Sequence, residues 1–239
     1  MKCVILCAGY STRLYPLTLD RPKPLLPIQG IPLLSHIIKK VQDIKEIDKI
    51  FVVTNDKFYY NYIWWLENLE EGIKEKIEIV NDGTTTNEGR LGGIGDLNFV
   101  IDSQNIHDDI LVILGDNLFY FDLKCFIDFY KQVEETTLGV VSFEKERLKD
   151  FGVVEVIDDK IVGFEEKPQN PKSDFISTGL YIFSKEDIKR IKDYIKTDLS
   201  KEGPGFLIEH FLKDKEVYAY KFYGVWRDIG SIEEYEGLR

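Results

Sequence analysis

The most constraining feature of this sequence is an alternation of two kinds of hydrophobic pattern. Short apolar runs rich in Val and Ile, at 2–7, 49–54, 77–80, 110–115 and 137–143, are separated by segments whose apolar residues recur at helical spacing. In PLLSHIIKKVQDI, Leu33, Leu34, Ile37, Ile38, Val41 and Ile44 repeat in this way behind Pro32, a residue suited to a helix start. Further helices are expected near 58–70, 92–102 and 123–133. Strands that are apolar throughout must be covered on both sides, so the pattern predicts an α/β fold: a Rossmann-like, doubly wound, mixed but mostly parallel sheet with helices on both faces.

From residue 151 the rhythm changes. GVVEVIDDKIVGFEEK alternates around Asp158, Asp159 and Lys160 and reads as an antiparallel hairpin. A strand at 176–183, a helix at 185–196, a strand at 217–222 and a short helix at 231–238 follow. With no linker or low-complexity stretch, residues 1–239 read as a single domain.

Composition excludes several classes of function. With 44% hydrophobic and 31% charged residues the chain is neither disordered nor membrane-spanning, and no apolar run approaches the roughly 20 residues of a membrane helix. The first segment, MKCVILCAGYS, runs straight into Arg13 and a Pro-rich stretch, so it reads as a buried strand and the protein as cytoplasmic. A net charge of −11 would repel a polyanion over most of the surface, so no nucleic-acid partner is expected. Cys3 and Cys7 in one extended segment lie roughly 13 Å apart, beyond disulfide reach, and read as reduced core thiols. His36, His107 and His210 match no zinc spacing.

The charge is unevenly placed. Residues 1–40 hold six cations (Lys2, Arg13, Arg21, Lys23, Lys39, Lys40) and only Asp20 as an anion, which gives +5 there against −16 elsewhere. In a sheet of this type ligands bind outside the carboxyl ends of the strands, and two long loops follow strands, at 8–31 and 81–91. The first, AGYSTRLYPLTLDRPKPLLPIQG, is expected to stay free of helix and strand. A turn of Gly9, Ser11 and Thr12 can gather N–H groups around phosphate oxygens, Arg13 and Lys23 add permanent charge, and four prolines limit the loop's freedom. Neither Walker A nor a complete G-x-G-x-x-G is present, which weakens a nicotinamide dehydrogenase.

LCAGYSTRLYPLTLDRPKPLLPIQGIPLL resembles the N-terminal signature of the sugar-1-phosphate nucleotidylyltransferases, A-G-x-G-T-R-L-x-P-L-T followed by P-K-P-L. Later strings resemble the same family in order and spacing from residue 6 to 235: LGDN at Asp116, FGVV at Gly152, EEKP at Glu166 and Lys167, STGLY around Thr178, and WRDIGS at Asp228. Read without the resemblance, Asp116 is equally a turn carboxylate, Glu166 and Lys167 a charged strand end closed by Pro168, and Asp228 part of a helix start capped by Ser231.

The resemblance implies transfer of a nucleotidyl group from a nucleoside triphosphate to a sugar 1-phosphate, with dTTP or UTP and glucose 1-phosphate favoured and pyrophosphate released. It implies Mg2+ as cofactor, held by Asp116 and Asp228. It places Ala8, Gly9, Ser11, Thr12, Asn81 and Gly92 on the nucleotide, Arg13 and Lys23 in catalysis, and Gly152, Glu166, Lys167 and Thr178 on the sugar phosphate. Residues 1–140 would then form the nucleotide part and 141–239 the sugar part, with no C-terminal β-helix domain. Three acids, Asp116, Asp228 and Glu166, are expected to face the ligand. Two departures concern specificity: Ser11 stands where Gly is usual, which is expected to narrow the approach to the triphosphate, and NDGTTTNEGRLGGIGDL is longer and more polar than the usual base-reading segment. A cytidylyl- or guanylyltransferase, or a non-catalytic sensor of nucleotide sugars, remain the alternatives.

Overall fold

The computed structural model describes residues 1–239. Its strands are β1 (Lys2–Leu6), β2 (Pro27–Ile28), β3 (Ile31–Pro32), β4 (Lys49–Thr54), β5 (Ile77–Asn81), β6 (Ile110–Leu114), β7 (Asn117–Phe119), β8 (Thr137–Ser142), β9 (Gly152–Ile157), β10 (Lys160–Glu166), β11 (Phe175–Phe183), β12 (Tyr218–Lys221) and β13 (Trp226–Asp228). Its helices are α1 (Leu33–Val41), α2 (Tyr59–Glu67), α3 (Glu71–Lys74), α4 (Gly93–Ser103), α5 (Lys124–Val133), α6 (Asp187–Ile195), α7 (Gly205–Phe211) and α8 (Ile232–Glu236). Nine strands form one sheet in the order β5-β4-β1-β6-β11-β8-β12-β10-β9.

The sheet is parallel from β5 through β6 and mixed beyond, with β11 antiparallel to both neighbours and β12 parallel to β8. Side chains of successive strand residues leave opposite faces, and both faces are apolar. Cys3, Ile5, Ile50, Val52, Leu111 and Ile113 join α1, α2 and α5 in one core. Val4, Phe51, Val53, Ile110 and Val112 join α4, α6 and α7 in the other. The expected two-faced sheet is therefore present, with strands from both halves of the chain interleaved in it.

The hairpin β9–β10 turns at Asp158 and Asp159, both in the left-handed region. An extra antiparallel pairing of Val153 with Ile176 folds this hairpin back onto the start of β11. Gly152 and its register partner Glu166 thereby reach the edge of the sheet where β6 ends.

The first loop differs from expectation. Residues 8–31 contain two short 3-10 turns, Thr12–Leu14 and Lys23–Leu25, and the two-residue strands β2 and β3 begin within it. A third, small core of Leu14, Leu26, Ile28, Leu33, Leu118, Ile229 and Tyr235 pins this loop to the C-terminal segment. No helix is long and apolar enough to cross a membrane.

Candidate active site

A cleft of about 250 Å³ opens where β1 and β6 end. One wall is the turn that leaves β1, through Cys7, Ala8, Gly9 and Ser11; the others carry Pro24, Asp116, Arg90, Gly92, Gly93, Asp96, Glu202 and Gly203. The turn is anchored from below: Asn55 Nδ2 donates to the Ala8 carbonyl at 2.8 Å, and the Tyr62 hydroxyl donates to that of Cys7 at 3.3 Å. Ser11 adopts φ 49 and ψ 44, a left-handed conformation that costs a residue with a Cβ more than it costs glycine. Its carbonyl accepts from Leu14 N and from Thr18 Oγ1, the bonds that hold this bend. The departure at position 11 thus falls on a conformationally demanding residue. Thr12 and Arg13, the next two residues, are exposed.

Asp116 and Asp228 are 112 residues apart in sequence and are joined by one short pairing. In β7 and β13, Asn117 lies opposite Asp228. Asn117 Nδ2 and Trp226 Nε1 both donate to the Thr178 carbonyl at 3.0 Å, which locks this ribbon to the bulge of β11. Lys23 is almost fully buried, and its ammonium lies 3.0 Å from Asp116 Oδ2 and 3.7 Å from Asp228 Oδ1. Burial, and then the neighbouring Asp116 charge, raise the Asp228 pKa above the usual carboxylate range, opposed by Lys23 and Arg13. Two hard carboxylates converging on one buried cation fit Mg2+, which takes one or two carboxylates and fills its octahedron with phosphate and water. Ser231 caps α8 as the sequence indicates, in a reciprocal box with Glu234.

Glu166 lies under Gly152 and the start of α7: a Cβ built on Gly152 would stand 2.9 Å from Glu166 Oε2, and one on Gly205 3.3 Å. Burial raises the Glu166 pKa, and Lys167 pulls it back. Lys167 has a positive φ of 50, and its N–H donates to the Phe151 carbonyl at 3.0 Å.

Two of the sequence-derived residues have other occupations. The Asn81 side chain donates to Asp56 Oδ1 and accepts from Gly83 N, so it shapes the loop behind the cleft and is not among the cleft-lining residues. Thr178 is fully buried with its hydroxyl donating to the Gly139 carbonyl, and it serves the site through its backbone. Conversely, Arg90, Asp96 and Glu202 line the cleft without any signal in sequence; of the three acids expected to face the ligand, Asp116 lines it, while Asp228 and Glu166 stand outside its lining. Arg90 makes a two-pronged pair with Glu202, at 3.2 and 2.8 Å, across the cleft mouth.

A glycine-containing turn beside two carboxylates and a buried lysine suits a reaction among phosphates. The family model for nucleotidyl transferases matches residues 2–238. The chain belongs to the nucleotidyl transferase family. A protein of Methanocaldococcus jannaschii named Bifunctional protein GlmU is 36% identical over 238 residues, covering 96% of this chain and 51% of its own length. A Sulfolobus acidocaldarius protein named for mannose-1-phosphate guanyltransferase activity is 29% identical over 98% of this chain and 61% of its own. This nucleotidyltransferase chain therefore spans about half to three fifths of the length of those relatives. Among solved structures, a Bacillus anthracis protein named for glucose-1-phosphate thymidylyltransferase activity, in complex with a sucrose, superposes with a TM-score of 0.83 at 26% identity, covering 100% of this chain and 93% of its own. A UDP-glucose pyrophosphorylase complexed with UDP-glucose gives 0.84 at 22% identity, covering 99% and 96%, a likeness of fold.

Proposed function

We propose that this chain transfers a nucleotidyl group from a nucleoside triphosphate to a sugar 1-phosphate in a Mg2+-dependent reaction, giving a nucleotide sugar and pyrophosphate. The observation that carries the reading is Lys23 held between Asp116 and Asp228 beside the Gly9–Ser11 turn. An oxygen of the sugar phosphate attacks the α-phosphorus in line, and pyrophosphate leaves. Two anions must meet, so the protein's work is positioning and charge neutralisation, with no covalent nucleophile.

In this reading residues 1–140 take the triphosphate and 141–239 the sugar phosphate. The N–H groups of Gly9, Ser11 and Thr12, with Ala8 behind them, receive phosphate oxygens; Arg13 holds the leaving β- and γ-phosphates and Lys23 meets the α-phosphate. Lys167 binds the attacking phosphate, Glu166 reads sugar hydroxyls, and Gly152 leaves room for the ring. Asn81, Gly92 and Thr178 act by shaping the walls. Asp116 and Asp228 hold Mg2+, which when bound supplies positive charge to the triphosphate oxygens. Uridylyl or thymidylyl transfer to glucose 1-phosphate is the favoured pair; the guanyltransferase among the relatives keeps guanylyl transfer as the second reading. We place the reaction in the cytoplasm, a compartment suited to a chain with an exposed free Cys125.

The test is a matrix of dTTP, UTP, GTP, CTP and ATP against sugar 1-phosphates, scored by pyrophosphate release with Mg2+ and with chelator. Release from at least one pair, abolished by chelator, is expected. Nucleotide-sugar binding without release from any pair would replace the enzyme by a sensor.

A further inference from the structure

One carboxyl group lining the cleft, that of Asp96, is left unused by the reaction above, and a second, that of Asp82, is buried near it. Asp96, in the first turn of α4, is 5% exposed, and Asp82, just beyond β5, is 8% exposed. Burial, and then the neighbouring Asp82, raise the Asp96 pKa. Asp82 Oδ1 accepts from Thr84 N at 2.6 Å and Thr84 Oγ1 at 2.8 Å, whereas Asp82 Oδ2 and Asp96 Oδ1 are each buried with no hydrogen-bond partner. Two ionised carboxylates cannot sit together out of water, so one proton is shared between them. Thr84 donates twice to Asp82, while nothing donates to the buried Asp96 Oδ1, so the proton stays with Asp96. The second oxygen of Asp96, the carboxyl that lines the cleft, is then an acceptor only.

The backbone around Asp96 reinforces this polarity. Gly93 N donates to the Glu202 carbonyl at 2.8 Å and Ile94 N to that of Lys201 at 2.9 Å, so these first helical N–H groups are already occupied. Asp116 follows β6 on one side of β1, while Asp82 follows β5, two strands away on the other side. Asp96 and Asp116 line the same cleft, so a triphosphate held at Asp116 has Asp96 within its reach. We infer that Asp96, oriented by Asp82, is the base-selecting residue, accepting a hydrogen bond from the ring N–H of a lactam base: N3–H of uracil or thymine, or N1–H of guanine. Cytosine and adenine present an acceptor nitrogen at that edge and are disfavoured. The inference rests on the nucleotidyl-transfer reading and narrows its triphosphate.

The experiment measures direct binding of UTP, dTTP, GTP, CTP and ATP, each with Mg2+, to the full chain by calorimetry, alongside kcat and KM for pyrophosphate release. At least one lactam triphosphate is expected to bind about 100-fold tighter than CTP and ATP, because a buried polar group left unpaired rejects the wrong partner strongly. In Asp96→Ala, which removes the acceptor, KM for that triphosphate should rise about tenfold or more with kcat little changed and the preference over CTP should shrink, whereas Asp96→Asn, whose NH2 can replace the acid O–H toward Asp82 while its C=O still accepts, should keep both. Wild-type preference for CTP or ATP, or an Asp96→Ala protein with unchanged ranking and KM, overturns the inference. The wild-type ranking decides the matter even if the variant does not fold. Binding needs no turnover, so a lactam preference lost in Asp96→Ala without pyrophosphate release would overturn the catalytic reading and keep this one.

Discussion

Replacing Gly92 by Ala tests whether the cleft is held open by backbone packing. Gly92 has φ 77 and ψ 162, a region essentially reserved for glycine, and strain of this kind costs about 1–3 kcal/mol. A Cβ there would stand 2.5 Å from the Lys201 carbonyl oxygen and 2.8 Å from its carbon, whereas ordinary contacts lie at 3.4–4 Å. Neither is a flexible side-chain end, so the 201–203 segment must retreat by roughly 1 Å and lose its bonds from Gly93 N and Ile94 N, worth about 1 kcal/mol each. The expected destabilisation is about 3–5 kcal/mol, a large share of the ~5–15 kcal/mol by which a domain is stable. Gly83 supplies the control, for it has φ +79 but no atom within 4 Å of an added Cβ, so Gly83→Ala should cost only about 1–2 kcal/mol. Urea unfolding of both variants at equal m-value isolates the contact with Lys201 as the difference. If Gly92→Ala lies within about 1 kcal/mol of Gly83→Ala, the packing argument fails.

Three further outcomes can be checked. Asp116→Asn and Asp228→Asn should each lower turnover by about 100-fold or more while the melting temperature holds, because each removes a charge from a carboxylate pair whose mutual repulsion raises the Asp228 pKa; wild-type turnover in both, with Mg2+ present, would refute the metal assignment. Burial, and then Asp82, push the Asp96 pKa up to about 8 from an ordinary 3.8, with Glu202 acting in the same sense and the Cys7 thiol also nearby. The stabilising contribution of that retained proton is complete below 3.8 and is lost as pH rises through about 8, so melting curves from pH 5 to 9 should fall less steeply for Asp96→Asn than for wild type. Equal slopes would mean that no proton is shared. Arg90→Ala should cost no more than about 1 kcal/mol, the value of an exposed ion pair, yet raise KM for the triphosphate by loosening the cleft mouth, as parallel unfolding and kinetic titrations would show.

The elements most legible in the sequence are those whose burial repeats. Val4 facing one core while Cys3 and Ile5 face the other is the physical content of an apolar run, and α1 and α5 announce themselves by one apolar stripe. Elements of two or three residues have no period to read, which is why the 3-10 turns of the first loop, β2, β3, β7 and β13 leave no trace in the pattern. Helix α7 is hidden for a related reason: it spans seven residues and starts inside Gly203-Pro204-Gly205, a string that reads as a turn.

The same distinction governs the site. Lys23 stands out as a cation inside a proline-rich loop, Asp116 and Asp228 are singled out only by the family motifs around them, and the three meet in the fold. Asp96 is locally ordinary, since an acid in the first turn of a helix reads as a partner of the helix dipole. Its importance arises only when the strand order brings Asp82, 14 residues earlier, against it and both lose water. Burial of like charges is a property of the assembled sheet and has no sequence signature. It follows that the residues proposed to bind phosphate, which every substrate shares, can be read from sequence here, whereas the residue proposed to select the base becomes visible only once the chain is folded.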